Sequence, residues 1–217
     1  MPKPTFENLP AAKRQAIIDL ALEEFAERPY AVASISRIVE RAGIAKGSIY
    51  QYFEHKQDLF LFLLDYAAQQ QLRLLAELTP PGPGTGFFEL LRWQMSASVR
   101  VGAATPLLTR LMYRATADDL PFRAEVERRL QRAGAGHFAQ LIAQGIERGQ
   151  IDPAIDPELA AVVVQGLISN LHTLVFQRLG LSIQEASAEI ERLASPEVER
   201  IYDDVLRILQ RGLARHT

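Results

Sequence analysis

The chain has 217 residues, of which 48% are hydrophobic and 23% are charged, the composition of a globular protein long enough for two domains. It contains no cysteine, which excludes disulfides, thiolate metal sites and a cysteine nucleophile. The net charge of -2 does not by itself indicate a nucleic-acid partner.

The first residues predict where the protein resides and where its first helix lies. Met1–Glu7 lacks the apolar core of a signal peptide, which predicts a cytoplasmic protein. After it, apolar residues recur at helical spacing with charged residues between them, which predicts an amphipathic helix. These apolar residues are Ala16, Ile17, Leu20, Ala21 and Phe25.

The segment from Ser34 to Phe53 combines a helix stop, a tight turn and a second short helix. Gly43 stands where the helix beginning near Ser34 must end, and glycine reaches the left-handed backbone conformation at little steric cost. Ile38 and Ala42 before the turn share a helical face, and further apolar residues follow it at matching offsets. Neither helix is long enough to be stable alone. Together with the preceding helix they predict a three-helix, helix-turn-helix unit over residues 10–54.

Residues 46–53 read Lys-Gly-Ser-Ile-Tyr-Gln-Tyr-Phe and follow an Ala-Gly turn. With Ile38 before the turn and Lys56 and Leu59 after it, this run resembles the DNA-binding domain of tetracycline-repressor (TetR) family regulators. The resemblance implies a DNA-binding domain over residues 1–55 and a helical ligand-binding and dimerisation domain over residues 56–217. The chain departs from the family at Val39, where alanine is usual, and at Ala45, where a capping serine or threonine is frequent.

The second helix of such a motif lies in the major groove of double-stranded DNA, with its first turns facing the base edges. We therefore predict base contacts from Lys46, Ser48 and Gln51, and phosphate contacts from neighbouring polar groups. Each tyrosine of this helix has an alternative role, packing within the small domain. The predicted DNA-binding residues are Ser34, Arg37, Lys46, Gly47, Ser48, Tyr50, Gln51, Tyr52 and Lys56.

Beyond the motif the pattern is helical, without strand alternation, so the predicted fold class is all-α with about nine or ten helices. Capping patterns mark helix starts at Asp119 with Pro121, at Asp156 with Pro157, at Ser182 with Glu185, and at Ser195 with Pro196. Gly134 and Gly136 lie inside one predicted helix and indicate a kink or a close helix approach. The predicted helices beyond the motif run over about 56–77, 87–103, 106–116, 121–148 and 157–179, then a short helix from 182 and a last one over about 195–212.

The helix over 157–179 is apolar nearly all the way round, and the last helix also carries more apolar surface than one core requires. Both could simply fill the core of one protomer, but the resemblance implies a two-fold homodimer built from them. Polar residues interrupt the apolar helix, which argues against a membrane span. The predicted dimer contacts are Val163, Leu167, Leu171, Ile201, Val205 and Ile208.

Aromatic, methionine and polar residues between Phe87 and Phe176 fit an ordinary core and equally the small-molecule pocket that the resemblance implies. No nucleophile motif, phosphate loop or spaced set of metal ligands is apparent, which predicts neither an enzyme nor a metal or cofactor protein. The predicted ligand-binding residues are Trp93, Met112, Tyr113, His137, Gln140, Leu141, Asn170 and His172.

These observations predict a ligand-responsive DNA-binding regulator, a repressor released from a near-palindromic operator by a small, largely apolar effector. The helix over 56–77 would transmit the ligand signal to the DNA-binding domain. A helical enzyme or carrier of small molecules, and a helical protein-interaction module, are the alternatives. The enzyme or carrier leaves the run over residues 46–53 unexplained.

Overall fold

The computed structural model describes residues 2–82 and 84–213, without the side chains of residues 131–135, 137, 184, 187 and 190. Over this part of the chain the fold is all-α, with eleven α-helices, one 3-10 helix (Ile190–Ala194) and no strand. The predicted fold class is confirmed, and the two elements that the sequence pattern missed are α1 and the 3-10 helix. The α-helices are α1 (Pro4–Glu7), α2 (Ala11–Glu27), α3 (Ile35–Arg41), α4 (Lys46–Tyr52), α5 (Lys56–Glu77), α6 (Phe87–Ala104), α7 (Pro106–Ala117), α8 (Arg123–Glu147), α9 (Pro157–Arg178), α10 (Ile183–Ala188) and α11 (Pro196–Leu213).

The predicted turn between α3 and α4 is present. Gly43 has a φ of 63°, the left-handed conformation that the sequence required at this stop. Ile38 from α3, Ile49 from α4 and Phe25 from α2 are all fully buried, so the three helices share one small core. The three-helix unit is confirmed, and its core explains how helices as short as α3 and α4 are stable.

Most capping predictions are confirmed, and one is wrong by two residues. The Asp156 carboxylate accepts hydrogen bonds from the backbone N–H groups of Glu158 (2.8 Å) and Leu159 (3.1 Å) at the start of α9. Ser182 and Glu185 form the reciprocal capping box that opens α10. The helix predicted from Pro121 begins instead at Arg123, because Leu120 and Phe122 turn into the core first.

The kink or close helix approach predicted for Gly134 and Gly136 is not found at Gly136, whereas a close approach occurs at Gly145. The helix is continuous through both positions, and a Cβ at Gly136 would meet nothing within 4 Å. At Gly145, a Cβ would lie 2.7 Å from Ile151 Cδ1, so the backbone of α8 approaches its neighbours there. The surroundings of Gly134 lie outside the described residues.

The chain divides into two compact units, which we call the N-terminal unit (residues 1–70 and 107–129) and the body unit (residues 71–106 and 130–217). The N-terminal unit therefore holds α7 and the start of α8 as well as α1 to α4 and most of α5. The predicted boundary after residue 55 concerns function rather than packing, and it stays a prediction.

Within the N-terminal unit, α7 is joined to the end of α2 by Arg114. Its guanidinium donates to the carbonyl oxygens of Ala26 (2.7 Å) and Glu27 (3.0 Å), which α2 leaves without helical partners. Asp118 accepts the backbone N–H of Tyr30 at 2.9 Å. The Tyr30 ring packs edge-on against Phe60 of α5 and against Phe122. Residues distant in sequence thus fix the loop between α2 and α3.

The body unit is built around α6, which packs against α9, α10 and α11. Met95 and Val99 of α6 are fully buried, as are Val164 of α9 and Tyr202 of α11. On the surface, Arg92 of α6 binds Glu199 and Asp203 of α11. This core of interlocking apolar side chains holds α9 and α11 side by side with α6.

Candidate nucleic-acid interface

Helix α4 presents a polar face to solvent and buries the opposite one. Lys46, Gly47 and Gln51 are exposed, and Ser48 is half-buried. Ile49 lies in the core on the other side of the helix. At the helix start, the N-cap residue is Ala45, whose side chain makes no capping hydrogen bond, as the alanine predicts. The side chains predicted to read base edges are therefore exposed along one surface of a short helix.

Tyr50 and Tyr52, the two tyrosines of α4, have different surroundings. Tyr50 is 45% exposed, whereas Tyr52 is 7% exposed. The Tyr52 ring lies 5.7 Å from that of Phe6, which belongs to α1. Tyr50 is thus available for a phosphate contact, while the packing alternative describes the Tyr52 ring.

Lys56, at the start of α5, lies over an aromatic ring. Its ammonium nitrogen is 4.5 Å from the centroid of the Tyr30 ring and 3.4 Å from the carbonyl oxygen of Ala31. Burial lowers the pKa of Lys56 from its ordinary value, against the opposing effect of the Glu24 charge. This lysine helps to fix the loop before α3, in addition to any contact with phosphate.

Ser34 and Arg37, at the start of α3, are both bound to Glu24 of α2. Glu24 is only 4% exposed and accepts hydrogen bonds from the Ser34 backbone N–H (2.8 Å) and from Arg37 Nε (2.9 Å). Burial raises the pKa of this carboxyl, but the hydrogen bonds from Arg37 and Ser34 outweigh it and hold the pKa below its ordinary value. The sequence reading missed Glu24, although its helical spacing from Ile17 and Ala21 places it on the buried face of α2.

The sequence reading also missed the first residues as part of this surface. Lys3 and Thr5 donate hydrogen bonds to carbonyl oxygens at the end of α4. A contact between residues more than forty positions apart leaves no periodic pattern in the sequence.

Comparisons with known proteins identify the family. Residues 17–63 match the family described as "Bacterial regulatory proteins, tetR family". A crystal structure of a TetR family transcriptional regulator from Chloroflexus aurantiacus J-10-FL is 36% identical to this chain, over 100% of both chains, with a TM-score of 0.74. The chain belongs to the TetR family of transcriptional regulators. It is therefore a DNA-binding protein, and α3, the Gly43 turn and α4 form its helix-turn-helix.

Two further relatives are regulators connected by name with fatty acids. The fatty acid metabolism regulator protein of Bacillus subtilis (strain 168) is 25% identical over 162 residues, 74% of this chain and 82% of the relative. The structure of the transcriptional regulator FadR from Bacillus subtilis in complex with stearoyl-CoA is 25% identical, with a TM-score of 0.62. That similarity covers 83% of this chain and 97% of the other.

The residues predicted to bind a ligand in this TetR-family chain are dispersed. Met112 and Tyr113 belong to the N-terminal unit, and the other six belong to the body unit. Gln140 and Asn170 are exposed, and the Asn170 amide donates to the carbonyl of Gly166. Trp93 is half-buried, and the side chain of His137 lies outside the described residues.

Two of the predicted ligand-binding residues have surroundings that bear on ligand binding: Leu141 lines a cleft, and His172 has a buried ring nitrogen. Leu141 lines a cleft of about 20 Å³ with Phe87 and Gly145, which has room for one water molecule but not for an organic effector. His172 Nε2 is buried without a hydrogen-bond partner among the described residues. Burial lowers the pKa of His172 to about 4, so the ring is neutral at pH 7.

The predicted dimer residues divide into exposed and enclosed groups. Val163 is 52% exposed and Ile208 is 69% exposed. Leu171 is enclosed by its own protomer at 2% exposure, and Leu167, Ile201 and Val205 are partly buried against the same core. Helix α9 also exposes three large apolar side chains that are not among the predicted dimer contacts, which are Leu159, Val162 and Leu174.

Helix α9 is long and apolar enough to cross a membrane by length and composition alone, with a mean hydropathy of 1.7 over its most apolar window. Of that window, 39% is buried inside the protomer. No group of three or more histidine, aspartate or glutamate residues that could hold a metal ion occurs in the part of the chain that the structure describes.

Proposed function

We propose that the protein is a repressor that binds a near-palindromic operator as a homodimer and leaves it when a small, largely apolar effector enters its helical body. The observation that carries the proposal is the exposed polar face of α4 after the Gly43 turn, in a chain of the TetR family. Lys46 and Gln51 would contact base edges, and Tyr50 would contact phosphate.

The exposed apolar residues of α9 and α11 support the homodimer. Leu159, Val162 and Val163 recur on one face of α9, and Ile208 is the most exposed large apolar residue of α11. Apolar side chains left exposed on these two long helices would be buried if a second copy of the chain packed against them across a two-fold axis. The axis would present two α4 helices to half-sites about 34 to 36 Å apart, or a multiple of the helical turn.

The buried imidazole of His172 supports effector binding in the body unit. A buried ring nitrogen without a partner is unfavourable, and a ligand with one polar group could satisfy it. The FadR structure was determined with stearoyl-CoA, and this long acyl thioester is therefore the first compound to test as an effector. The cleft beside Leu141 is too small to hold a ligand of that size.

An effector can change DNA affinity only by binding two arrangements of the protein unequally. Helix α5 is the proposed transmitter, since residues 56–70 belong to the N-terminal unit and residues 71–77 to the body unit. Helix α8 also has residues in both units and offers a second covalent route. A cytoplasmic location and the absence of enzymatic activity, cofactor and membrane partner complete the proposal.

Selection of bound sequences from random duplex DNA, repeated at two salt concentrations, tests the operator. We expect a near-palindromic consensus, bound more weakly as salt rises. Lys46→Ala and Gln51→Ala should each weaken the selected duplex by about 5- to 150-fold, corresponding to a lost base contact. Lys13→Ala, an exposed lysine of α2, is the control. No enrichment with folded protein would favour a small-molecule carrier or a protein-binding module.

Release by ligand is tested on the same duplex. Stearoyl-CoA should displace the protein from the duplex and raise the melting temperature of the protein. The substitution His172→Leu should weaken both effects. Free coenzyme A is the control for the headgroup. If stearoyl-CoA has no effect, the acyl thioester is excluded and a panel of apolar compounds follows.

A further inference from the structure

The carbonyl groups at the end of α4 have an unusual set of partners. An α-helix leaves its last four carbonyls without intrahelical partners, here those of Ile49, Tyr50, Gln51 and Tyr52. The first of these accepts the backbone N–H of Phe53 at 2.9 Å. The other three lie at the end of the helix that carries the base-reading side chains, and their partners come from the first residues of the chain.

Lys3 and Thr5 supply those partners. The backbone N–H of Lys3 donates to the Tyr52 carbonyl at 2.8 Å, and the Lys3 ammonium donates to the Tyr50 carbonyl at 2.9 Å. The Thr5 hydroxyl donates to the Gln51 carbonyl. A lysine charge beside these carbonyls also complements the negative end of the helix dipole. Every carbonyl that α4 leaves open is therefore satisfied.

Phe6 fixes this segment in place through the apolar core. Its side chain is 1% exposed, and its ring centroid lies 4.8 Å from that of Phe53 and 5.5 Å from that of Phe62 in α5. Helix α1 orients the ring inward, and the Arg14 guanidinium of α2 donates to the carbonyl of Glu7 at 2.6 Å. The segment is thus attached to α2, to the end of α4 and to α5.

We infer that residues 3–7 form a brace for the recognition helix, in which Lys3, Thr5 and Phe6 are positioning residues for operator binding. Helix α4 has only seven residues, too few to be stable without tertiary contacts. Ile49, in the middle of α4, is buried by packing against α3. The brace holds the C-terminal end of α4, which carries Gln51. Without the brace the last turn frays, and Gln51 loses the fixed position that a base contact requires.

Three variants test the brace, each with a matched partner. Thr5→Val keeps the shape of the side chain and removes the hydroxyl, while Thr5→Ser keeps the hydroxyl. We expect Thr5→Val to weaken binding of the duplex selected by the wild-type protein about three- to tenfold, and Thr5→Ser to preserve it. Phe6→Ala should weaken binding more, and Phe6→Leu should restore part of it. Lys3→Met should resemble Thr5→Val, with Lys3→Arg as the conservative change.

Binding to a non-specific duplex, and its salt dependence, separate a brace from a direct DNA contact. A lysine that neutralises phosphate contributes about one unit to the salt slope and binds all sequences alike. The brace predicts an unchanged slope and an unchanged non-specific affinity for Lys3→Met, with a loss confined to the selected duplex. An equal loss on both duplexes, with a reduced slope, would overturn it.

Amide hydrogen exchange tests the same inference without DNA, which matters because the inference rests on the proposed operator binding. In Thr5→Val and Phe6→Ala, exchange should accelerate across residues 49–53 while residues of α2 remain protected. Unchanged protection of α4 in both variants would refute the brace even if an operator is found. Faster exchange in α4 in a protein that selects no sequence would leave the brace standing and refute the operator.

Discussion

The N-terminal unit and the body unit differ in the partners that their buried polar groups have. In the N-terminal unit, the buried Glu24 carboxylate and the open carbonyls of α2 and α4 have partners from distant segments. In the body unit, the core is almost entirely apolar, and His172 Nε2 is buried without a partner among the described residues. Polar contacts between distant segments thus add to the apolar core of the first unit, whereas the core of the second unit is mainly apolar.

This difference corresponds to what each unit has to do. Hydrogen bonds fix orientation, and a recognition helix that reads base edges needs a fixed orientation. Apolar packing is non-directional and holds a side chain less strictly in one orientation than a hydrogen bond does, which suits the ligand-binding role that we propose for the body unit. The exposed apolar residues of α9 and α11 also depend on apolar burial, because they add to stability only when another apolar surface covers them.

The largest effect, on oligomeric state and operator affinity, is expected from a charge placed among these exposed apolar residues. Ile208→Asp buries a carboxylate in the proposed dimer interface, so the protein should become monomeric and lose on the order of 100-fold in operator affinity. Gln210→Asp, an exposed position of α11, places the same charge near the same helix end and should remain dimeric. Analytical ultracentrifugation and DNA titration measure both. A dimeric Ile208→Asp protein would show that the interface lies elsewhere.

The next effect tests the polar contacts of the N-terminal unit. Glu24→Ala leaves the Ser34 N–H and the Arg37 guanidinium without their acceptor, and should destabilise the protein by about 3 kcal/mol. Adjacent Glu23 pairs with Arg41 but is 36% exposed, so Glu23→Ala should cost less than about 1 kcal/mol. Urea unfolding compares them. Equal losses would mean that burial of the carboxylate is unimportant.

Glu24 also makes a prediction about pH. Because its pKa in the folded protein lies below the ordinary 4.5, its contribution is complete above that pH and is lost as the pH falls further. Glu24→Ala should therefore lose less stability on acidification below pH 4.5 than the wild type.

The third effect concerns the body unit and has a different pH range. The pKa of His172 falls from 6.5 to about 4 on folding, so only the unfolded chain takes up the proton between these values. The wild type should lose up to about 2 kcal/mol from this group between pH 7.5 and pH 5. His172→Leu should remove that part of the slope, and neighbouring Thr173→Val should keep it. Urea titrations at pH 7.5 and pH 5 measure the free energy of unfolding of each protein. An equal pH dependence in the wild type and His172→Leu would contradict the buried neutral ring.

The smallest effect is expected from Arg114, which joins α7 to the end of α2. Arg114→Met removes two hydrogen bonds to helix-end carbonyls and should lower stability by about 1 kcal/mol. Arg128→Met, on the surface of α8 beside Glu125, should have little effect. If both variants are as stable as the wild type, these two hydrogen bonds do not contribute to stability, and α7 is held by its buried side chains, such as Leu111 and Ala115.

Local signals in the sequence predicted most of the helix bounds. The turn at Gly43, the α5 bounds at Lys56 and Glu77 and the Asp156 cap each depend on a few neighbouring residues, and the structure has them all. The start of α8 was wrong because Leu120 and Phe122 are drawn into the core, a tertiary effect. The predicted site residues on α4 follow from its register alone, and their roles stay predictions.

The sequence by itself determined an all-α fold, a helix-turn-helix with an exposed face at Lys46 and Gln51, and membership of the TetR family. Only the tertiary structure decided which polar residues are buried together, as with Glu24 and Arg37, and which segments support each other, as with Lys3 and the end of α4. The reason is physical. Helical periodicity and caps arise from interactions within a few residues, whereas these partners are 13 and 47 positions apart and meet only when the chain is folded.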